Sequence, residues 1–412
     1  MFRTPRISNR KATIPLLGMC LQLWSSADAQ NFTTQVGSTD PLILIDLVPL
    51  GDGLSFGPGP GLKGGMAYGV GVETVYDSNL FLSEDDPESE LSTSLSPWLS
   101  YKTDPEGGAR FSLTANYHPV LNAYINNSDL NSVDQSGDIS MRLEGAKTAI
   151  TAYLRLTEVS GTDRLTGQFV NGTLWNSGVA ASYQVAPRTS VSTSWAAAMS
   201  DYGTSSLVGA NIYTGQIGGY WAATERFSFG PGVRYIYTES DNTGSRDAWA
   251  LYMQAQYRVG ERIQIIGSLG FEYAQSSRDN EESTLGLTGN FTANYAISDL
   301  WGWTSSIVYV TVPSPTDTNY VVNNLSITTG LDRNLLRATV GVGVDLNISY
   351  YESVGTVATN LGNEESVGTY ISYRRKLFSE RLDFESRIRY ATNNGQVDWN
   401  QVQVMAGLDI QF

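Results

Sequence analysis

Val402-Gln403-Val404-Met405-Ala406-Gly407-Leu408-Asp409-Ile410-Gln411-Phe412 closes the chain, and its alternation decides the fold. Val402, Val404, Ala406, Leu408, Ile410 and Phe412 share one parity, while Gln403, Gly407, Asp409 and Gln411 share the other. Strand side chains point to opposite faces with period two, so one face is oily and the other small or polar. A helix would spread the same residues around its whole circumference.

The pattern recurs upstream. Ala338, Val340, Val342, Val344, Leu346, Ile348 and Tyr350 alternate with Thr339, Gly341, Gly343, Asp345, Asn347 and Ser349. Phe111, Leu113, Ala115 and Tyr117 alternate with Ser112, Thr114, Asn116 and His118, and Leu382, Phe384, Ile388 and Tyr390 with Asp383, Glu385, Arg387 and Arg389. Abundant Thr, Val, Tyr and Gly oppose helix.

Connections of two kinds separate these segments. Short ones lie near 103–108, 145–147, 186–188, 224–226, 260–262, 298–300, 333–335 and 378–381. Longer ones lie near 77–90, 119–135, 159–173, 201–210, 240–246, 277–282, 313–322, 354–364 and 393–398. Eight short turns and nine longer loops predict eighteen strands, with sixteen as the alternative. The reading is an all-β, antiparallel up-and-down transmembrane barrel over 65–412, longer loops facing outward and both chain termini periplasmic. No segment after the N-terminus is long and apolar enough for a transmembrane helix, and only a closed barrel otherwise satisfies its backbone in lipid. Composition agrees: 41 Gly, 23 Tyr and 9 Trp stand against 16% charged residues.

Residues 1–29 read as a cleaved signal peptide. Arg3, Arg6, Arg10 and Lys11 precede an apolar run, Ala12 to Trp24, and Ala27-Asp28-Ala29 supplies the cleavage site. The lone Cys20 lies inside it, so the mature chain is expected to have no thiol. Cleavage removes four of 26 basic and one of 41 acidic residues, leaving the chain more acidic than its formal −15. That excludes nucleic acid, which needs basic patches. Residues 30–64, with Pro58 and Pro60, read as a periplasmic lead-in or a lumen plug.

Charges that alternate with apolar residues must face the lumen, because lipid exposure costs ~2–4 kcal/mol at the midplane. The pore-lining candidates are Arg110, Arg142, Arg155, Arg234, Arg258, Arg374, Lys376, Arg387, Arg389, Glu272, Asp345, Asp383 and Glu385. They form either a charge-lined aqueous pore or a lumen filled by mutual ion pairs. Arg374, Lys376, Arg387 and Arg389 suggest a basic ladder attractive to anions or acidic sugars. Tyr153, Tyr252 and Tyr370 are candidates for stacking sugar rings. Trp98, Tyr101, Trp195, Trp221, Trp301 and Trp303 read as interfacial girdle aromatics. Glu84-Asp85-Asp86-Pro87-Glu88-Ser89-Glu90 lacks the spacing of a calcium loop and reads as a solvated acidic connection. His118 is the only histidine and no nucleophile motif surrounds it, so an enzyme is not expected. No cofactor or metal motif is present.

Two resemblances add to this reading. Leu408, Ile410 and the terminal Phe412 resemble the C-terminal signal by which the barrel-assembly machinery recognises outer-membrane proteins. Tyr76-Asp77-Ser78-Asn79, following Gly65, Gly69 and Gly71, resembles the opening of outer-membrane β-barrel porin families found with exopolysaccharide export loci. The latter implies a porin-type barrel and perhaps a polysaccharide partner, with no catalytic residues. The expectation is a porin-like channel for small polar or saccharide solutes in the outer membrane of a Gram-negative-type bacterium, set in lipid and lipopolysaccharide. Its rivals are a structural or adhesive barrel with a closed lumen and, more remotely, a lipid-modifying enzyme using His118.

Overall fold

The computed structural model describes residues 47–49, 65–103, 110–163, 168–204, 207, 209–240, 244–260, 262–276, 283–313, 320–353, 363–378, 381–395 and 397–412. The expected signal peptide, with Ala27 and Ala29, lies outside these residues, as does most of 30–64. The strands are β1 (Leu47–Pro49), β2 (Gly65–Asp77), β3 (Glu90–Lys102), β4 (Phe111–Tyr124), β5 (Ser132–Glu144), β6 (Thr148–Asp163), β7 (Phe169–Ala186), β8 (Thr189–Tyr202), β9 (Ala210–Ala222) and β10 (Phe227–Ser240). They continue as β11 (Gly244–Val259), β12 (Ile263–Ser276), β13 (Thr284–Ala296), β14 (Trp301–Pro313), β15 (Tyr320–Asn334), β16 (Ala338–Ser353), β17 (Glu364–Leu377), β18 (Leu382–Asn394) and β19 (Trp399–Gln411).

Each strand from β2 to β19 pairs antiparallel with its sequence neighbour, and β19 pairs back onto β2 from Gln403↔Asp77 to Gln411↔Gly69. The eighteen strands β2 to β19 therefore form a closed barrel, as the connection pattern predicts. Closure removes every free edge, so the backbone is satisfied without water. The terminal residue extends the seam: Phe412 donates its N–H to the Tyr68 carbonyl (2.9 Å), and their rings stack at 5.6 Å between centroids.

Burial is inverted relative to a soluble protein. On β19, Leu408 is 45% exposed while Gln403 is 1% exposed. Leu408, Ile410 and Phe412 all point outward with Val402 and Val404, whereas Gln401, Met405 and Asp409 are buried inside. The same outward apolar face runs around the wall through Leu99, Ile139, Trp195, Leu251, Leu269, Val344 and Ile388. Water would penalise so large an apolar surface, and lipid would not. The chain is thus a membrane-spanning barrel of the kind that occupies bacterial outer membranes.

The short connections gather at the end where β2 begins, and the longer ones at the opposite end. Short turns mark the periplasmic rim of such barrels. With strands ~4.8 Å apart and tilted ~40°, eighteen strands enclose a backbone cylinder roughly 35 Å across.

Candidate functional site

The seam explains the Tyr76-Asp77-Ser78-Asn79 stretch. Asp77 accepts from the Gln401 side chain (2.8 Å), the Gln403 side chain (2.9 Å) and the Asn79 N–H (2.8 Å). Ser78 exchanges backbone and hydroxyl bonds with Val402. The Asn79 amide donates to the carbonyls of Ser83 (2.8 Å) and Asn400 (3.0 Å), and its oxygen accepts from the Ser83 N–H. These bonds latch the first strand to the last and reverse the chain just beyond it.

The reversal carries the 78–89 connection inward. Leu82 adopts φ 51°, is fully buried and packs on Trp399 and Ala391 of the inner wall. A non-glycine residue with positive φ is uncommon, and here burial of the side chain offsets the strain. Leu80, also buried, accepts a 2.6 Å hydrogen bond at its carbonyl from Thr162 of β6. The loop stays at the outer end, as expected of the longer connections, but folds into the mouth, where apolar Leu80 and Leu82 find burial.

The β6–β7 hairpin meets this loop. Pairing of β6 with β5 stops at Thr157↔Ser136, although β6 continues to Asp163. Beyond that point Ser160 Oγ donates to Asp134 (2.8 Å) and lies 2.7 Å from Ser132 Oγ. Both partners sit on the inward parity of β5. Phe169 packs edge-on against inward Tyr124 at 5.8 Å between centroids. The hairpin therefore parts from β5 and leans over the lumen, while β7 stays paired with β8 as far as Gly172↔Tyr202. Its detached edge takes up β1, with Leu47↔Asp163 and Pro49↔Gly161. Val170, Tyr202 and Leu207 close a small apolar cluster beside it.

Below the mouth the wall is polar and charged. Arg142, Arg155, Arg234, Arg258, Arg374, Lys376, Arg387, Arg389, Glu272, Asp345, Asp383 and Glu385 all have the inward parity. Arg110 precedes β4 and is exposed in a short turn. The anticipated basic ladder is corrected by cross-strand register. Arg374 bridges Glu385 (2.5 Å), Arg389 bridges Asp345 (3.5 Å), Lys376 stands opposite Asp383, and Arg387 lies over the Tyr370 ring (4.9 Å). Acids interleave with the bases, so this strip carries little net field. Farther around, Glu272 joins Arg234 (3.1 Å) and Arg246 (3.8 Å), while Arg142 joins Glu144 (2.5 Å).

The inward tyrosines lie flat on the wall. Tyr252 covers Gly232 of the neighbouring strand, Tyr153 covers Gly178, and Tyr370 covers Gly343. A Cβ on Gly343 would stand 2.4 Å from the Tyr370 ring, so that close approach requires glycine. Arg387 occupies a face of Tyr370 that a sugar would need. Among the expected girdle aromatics, Tyr101, Trp195 and Trp221 point outward, and Trp301 stacks under Arg333 (5.2 Å). Trp98 is corrected: it is 4% exposed, faces the lumen and donates its indole N–H to Asp409 (2.9 Å). Its parity with Ser96 and Ser100 carries that signal in the sequence.

The acidic connection divides. Glu84, Asp85, Asp86 and Glu88 are exposed. Glu90 is buried and accepts from the backbone N–H groups of Leu91, Ile125, Asn126 and Asn127, clamping the next loop. No cluster of three metal-ligating side chains occurs among the described residues. Ser136 Oγ donates to the backbone carbonyl of His118, not to its ring.

Charge is polarised along the barrel axis, a feature that residue-by-residue reading misses. Arg110, Lys147, Arg188, Arg226, Arg262, Arg337 and Arg381 sit at or beside short turns, whose sequence also holds Asp104, Glu106, Glu225, Glu261, Asp299 and Glu380 and so stays near neutral. Across the sequence of the longer connections, Arg164 and Arg278 are the only cations, against Glu84, Asp85, Asp86, Glu88, Asp129, Asp241, Asp279, Glu281, Glu282, Asp317 and Asp398.

No protein-family model matches the chain, and no curated protein sequence does. Solved outer-membrane barrels resemble it in fold. The FrpB iron transporter of Neisseria meningitidis aligns at TM-score 0.46 and 9% identity, over 84% of this chain and 81% of that one. OpdK of Pseudomonas aeruginosa aligns at TM-score 0.45 and 13% identity, over 84% and 99%. OccAB3 of Acinetobacter baumannii aligns at TM-score 0.43 and 9% identity, over 84% and 99%.

Proposed function

We propose that this barrel is a passive outer-membrane channel for small polar solutes, narrowed at its outer mouth by the 78–89 loop and the β6–β7 hairpin. The supporting observation is the wetted, charged wall. Arg142, Arg234 and Arg374 face inward yet keep 20%, 26% and 30% of their side-chain surface exposed. A cylinder roughly 35 Å across is wider than two opposed side chains can fill, so water fills the remainder. The ion pairs hold the long side chains against the wall and out of the path.

Saccharides are within the proposed solute range, but a link to exopolysaccharide export draws nothing from Tyr76-Asp77-Ser78-Asn79. Asp77, Ser78 and Asn79 are engaged in seam and turn hydrogen bonds. Liposome swelling with graded sugars tests the proposal. Permeation of small sugars with exclusion of larger ones is expected, and swelling indistinguishable from empty liposomes would remove it. The second reading, a closed barrel that binds a surface partner, is favoured by the same inward loops, and that outcome would select it.

A further inference from the structure

We infer that the periplasmic rim of the lumen holds a binding site for multivalent oxyanions, built by Arg188, Arg226 and Arg258. Arg188 sits in the β7–β8 turn, Arg226 in the β9–β10 turn and Arg258 near the end of β11. One cavity is lined by all three, with Gln184, Ser190 and Gln256. Backbone bonds stitch its walls together: Ala222 N–H donates to the Arg188 carbonyl (2.8 Å), and Arg258 N–H to the Arg226 carbonyl (2.8 Å). The cavity floor belongs to the inward parity of its strands, because Gln256 and Arg258 alternate with outward Tyr257 and Val259.

Two properties set this cluster apart from the bridged arginines of the wall. Arg142, Arg234, Arg246, Arg374 and Arg389 are each bridged to a carboxylate. Arg188, Arg226 and Arg258 make no salt bridge with a described acid, although Glu225 shares the cavity. Ser190, Gln184 and Gln256 add hydroxyl and amide donors to the lining, beside the apolar Pro187, Ala222 and Phe227. Guanidinium forks match carboxylate and phosphate oxygens bidentately, and three residues of this kind lining one concavity favour a ligand bearing two or more such groups. The site also lies at the end of the barrel whose connections are near neutral, away from the acidic outer loops that would repel an anion.

Binding here does not require that the lumen conducts, so the site goes beyond the channel proposal. The test uses the full folded chain in nanodiscs, titrated calorimetrically with citrate and with inorganic pyrophosphate. Lipid headgroups carry the same chemistry, so nanodiscs of phosphatidylcholine alone are compared with discs containing phosphatidylglycerol. Wild type is expected to bind both probes in phosphatidylcholine discs, weakening with salt. The triple variant R188Q/R226Q/R258Q should lose at least tenfold in affinity. R226Q alone should lose about threefold, and R337Q, across the rim, should bind as wild type. A triple variant that folds and binds as wild type overturns the proposal, as does failure of wild type to bind either probe. Retention of phosphatidylglycerol without probe binding also overturns it, assigning the arginines to lipid. If the triple variant does not fold, R226Q against R337Q decides by the same comparison. Citrate binding without conductance would refute the channel and leave this site standing.

Discussion

Thr162 Oγ1 donates a 2.6 Å hydrogen bond to the carbonyl of Leu80, joining two segments that leave the wall four strands apart. The contact is a chord across the outer mouth. It ties the loop latched at the seam to the hairpin that leans inward from β6 and β7.

Removing that chord should loosen the mouth. Thr162→Val keeps the shape and deletes the donor, leaving a buried carbonyl unpaired at about 1–3 kcal/mol. Single-channel recordings should show more frequent current fluctuations and up to about a twofold rise in mean conductance. Deleting 81–88 should raise it further. Unchanged traces in both variants would mean that these elements do not restrict flow.

Asn79→Ala removes the side chain that bonds Ser83 and Asn400. Partly buried bonds of this kind contribute about 1 kcal/mol each net, so a loss of about 2–3 kcal/mol is expected. A lower urea midpoint, with barrel content intact by circular dichroism, checks it.

Gly343→Ala places a methyl against the Tyr370 ring. The ring must lift, and with it the stacked Arg387. Overpacking of this kind costs about 1–3 kcal/mol. The double variant G343A/Y370A should recover part of the loss in the same unfolding assay. Additive losses would show that the ring does not rest on the glycine.

Glu272→Gln leaves Arg234 and Arg246 without their shared carboxylate. Glu272 is buried and both arginines are only partly exposed, so the lumen gains net positive field there. Reversal potentials in a salt gradient should move toward anion preference. An unmoved potential would place this cluster outside the conducting path.

Leu47–Pro49 is fixed at the outer mouth on β6, while Gly65 begins β2 at the opposite rim. If residues 30–64 obstruct the lumen, deleting them should raise single-channel conductance severalfold. Equal conductance with and without them would remove the plug reading and leave a lead-in.

Much of this fold is legible in the sequence because lipid imposes one rule on every strand. Period-two alternation assigns inner and outer faces on β4, β16, β18 and β19, and turn lengths yield the strand number. What alternation cannot supply is register between strands. Whether Arg374 faces Glu385 or a second arginine depends on a shift of one or two residues, and the basic ladder dissolved on that point. Loop direction is also hidden. Leu80 and Leu82 sit beside Glu84 and Asp85 in a stretch that reads as solvated, and only the buried partners Trp399 and Ala391 reveal its inward course.

The latch between Asn79 and Asn400 has a consequence in time. Its two halves lie 321 positions apart, so the first turn of the barrel cannot acquire its shape until the last strand has arrived. Leu82 has no Trp399 to rest on before then. The 78–89 loop can therefore settle into the mouth only when the seam closes, whereas the β6–β7 hairpin, held by Asp134 and Tyr124, needs no contact with the last strand.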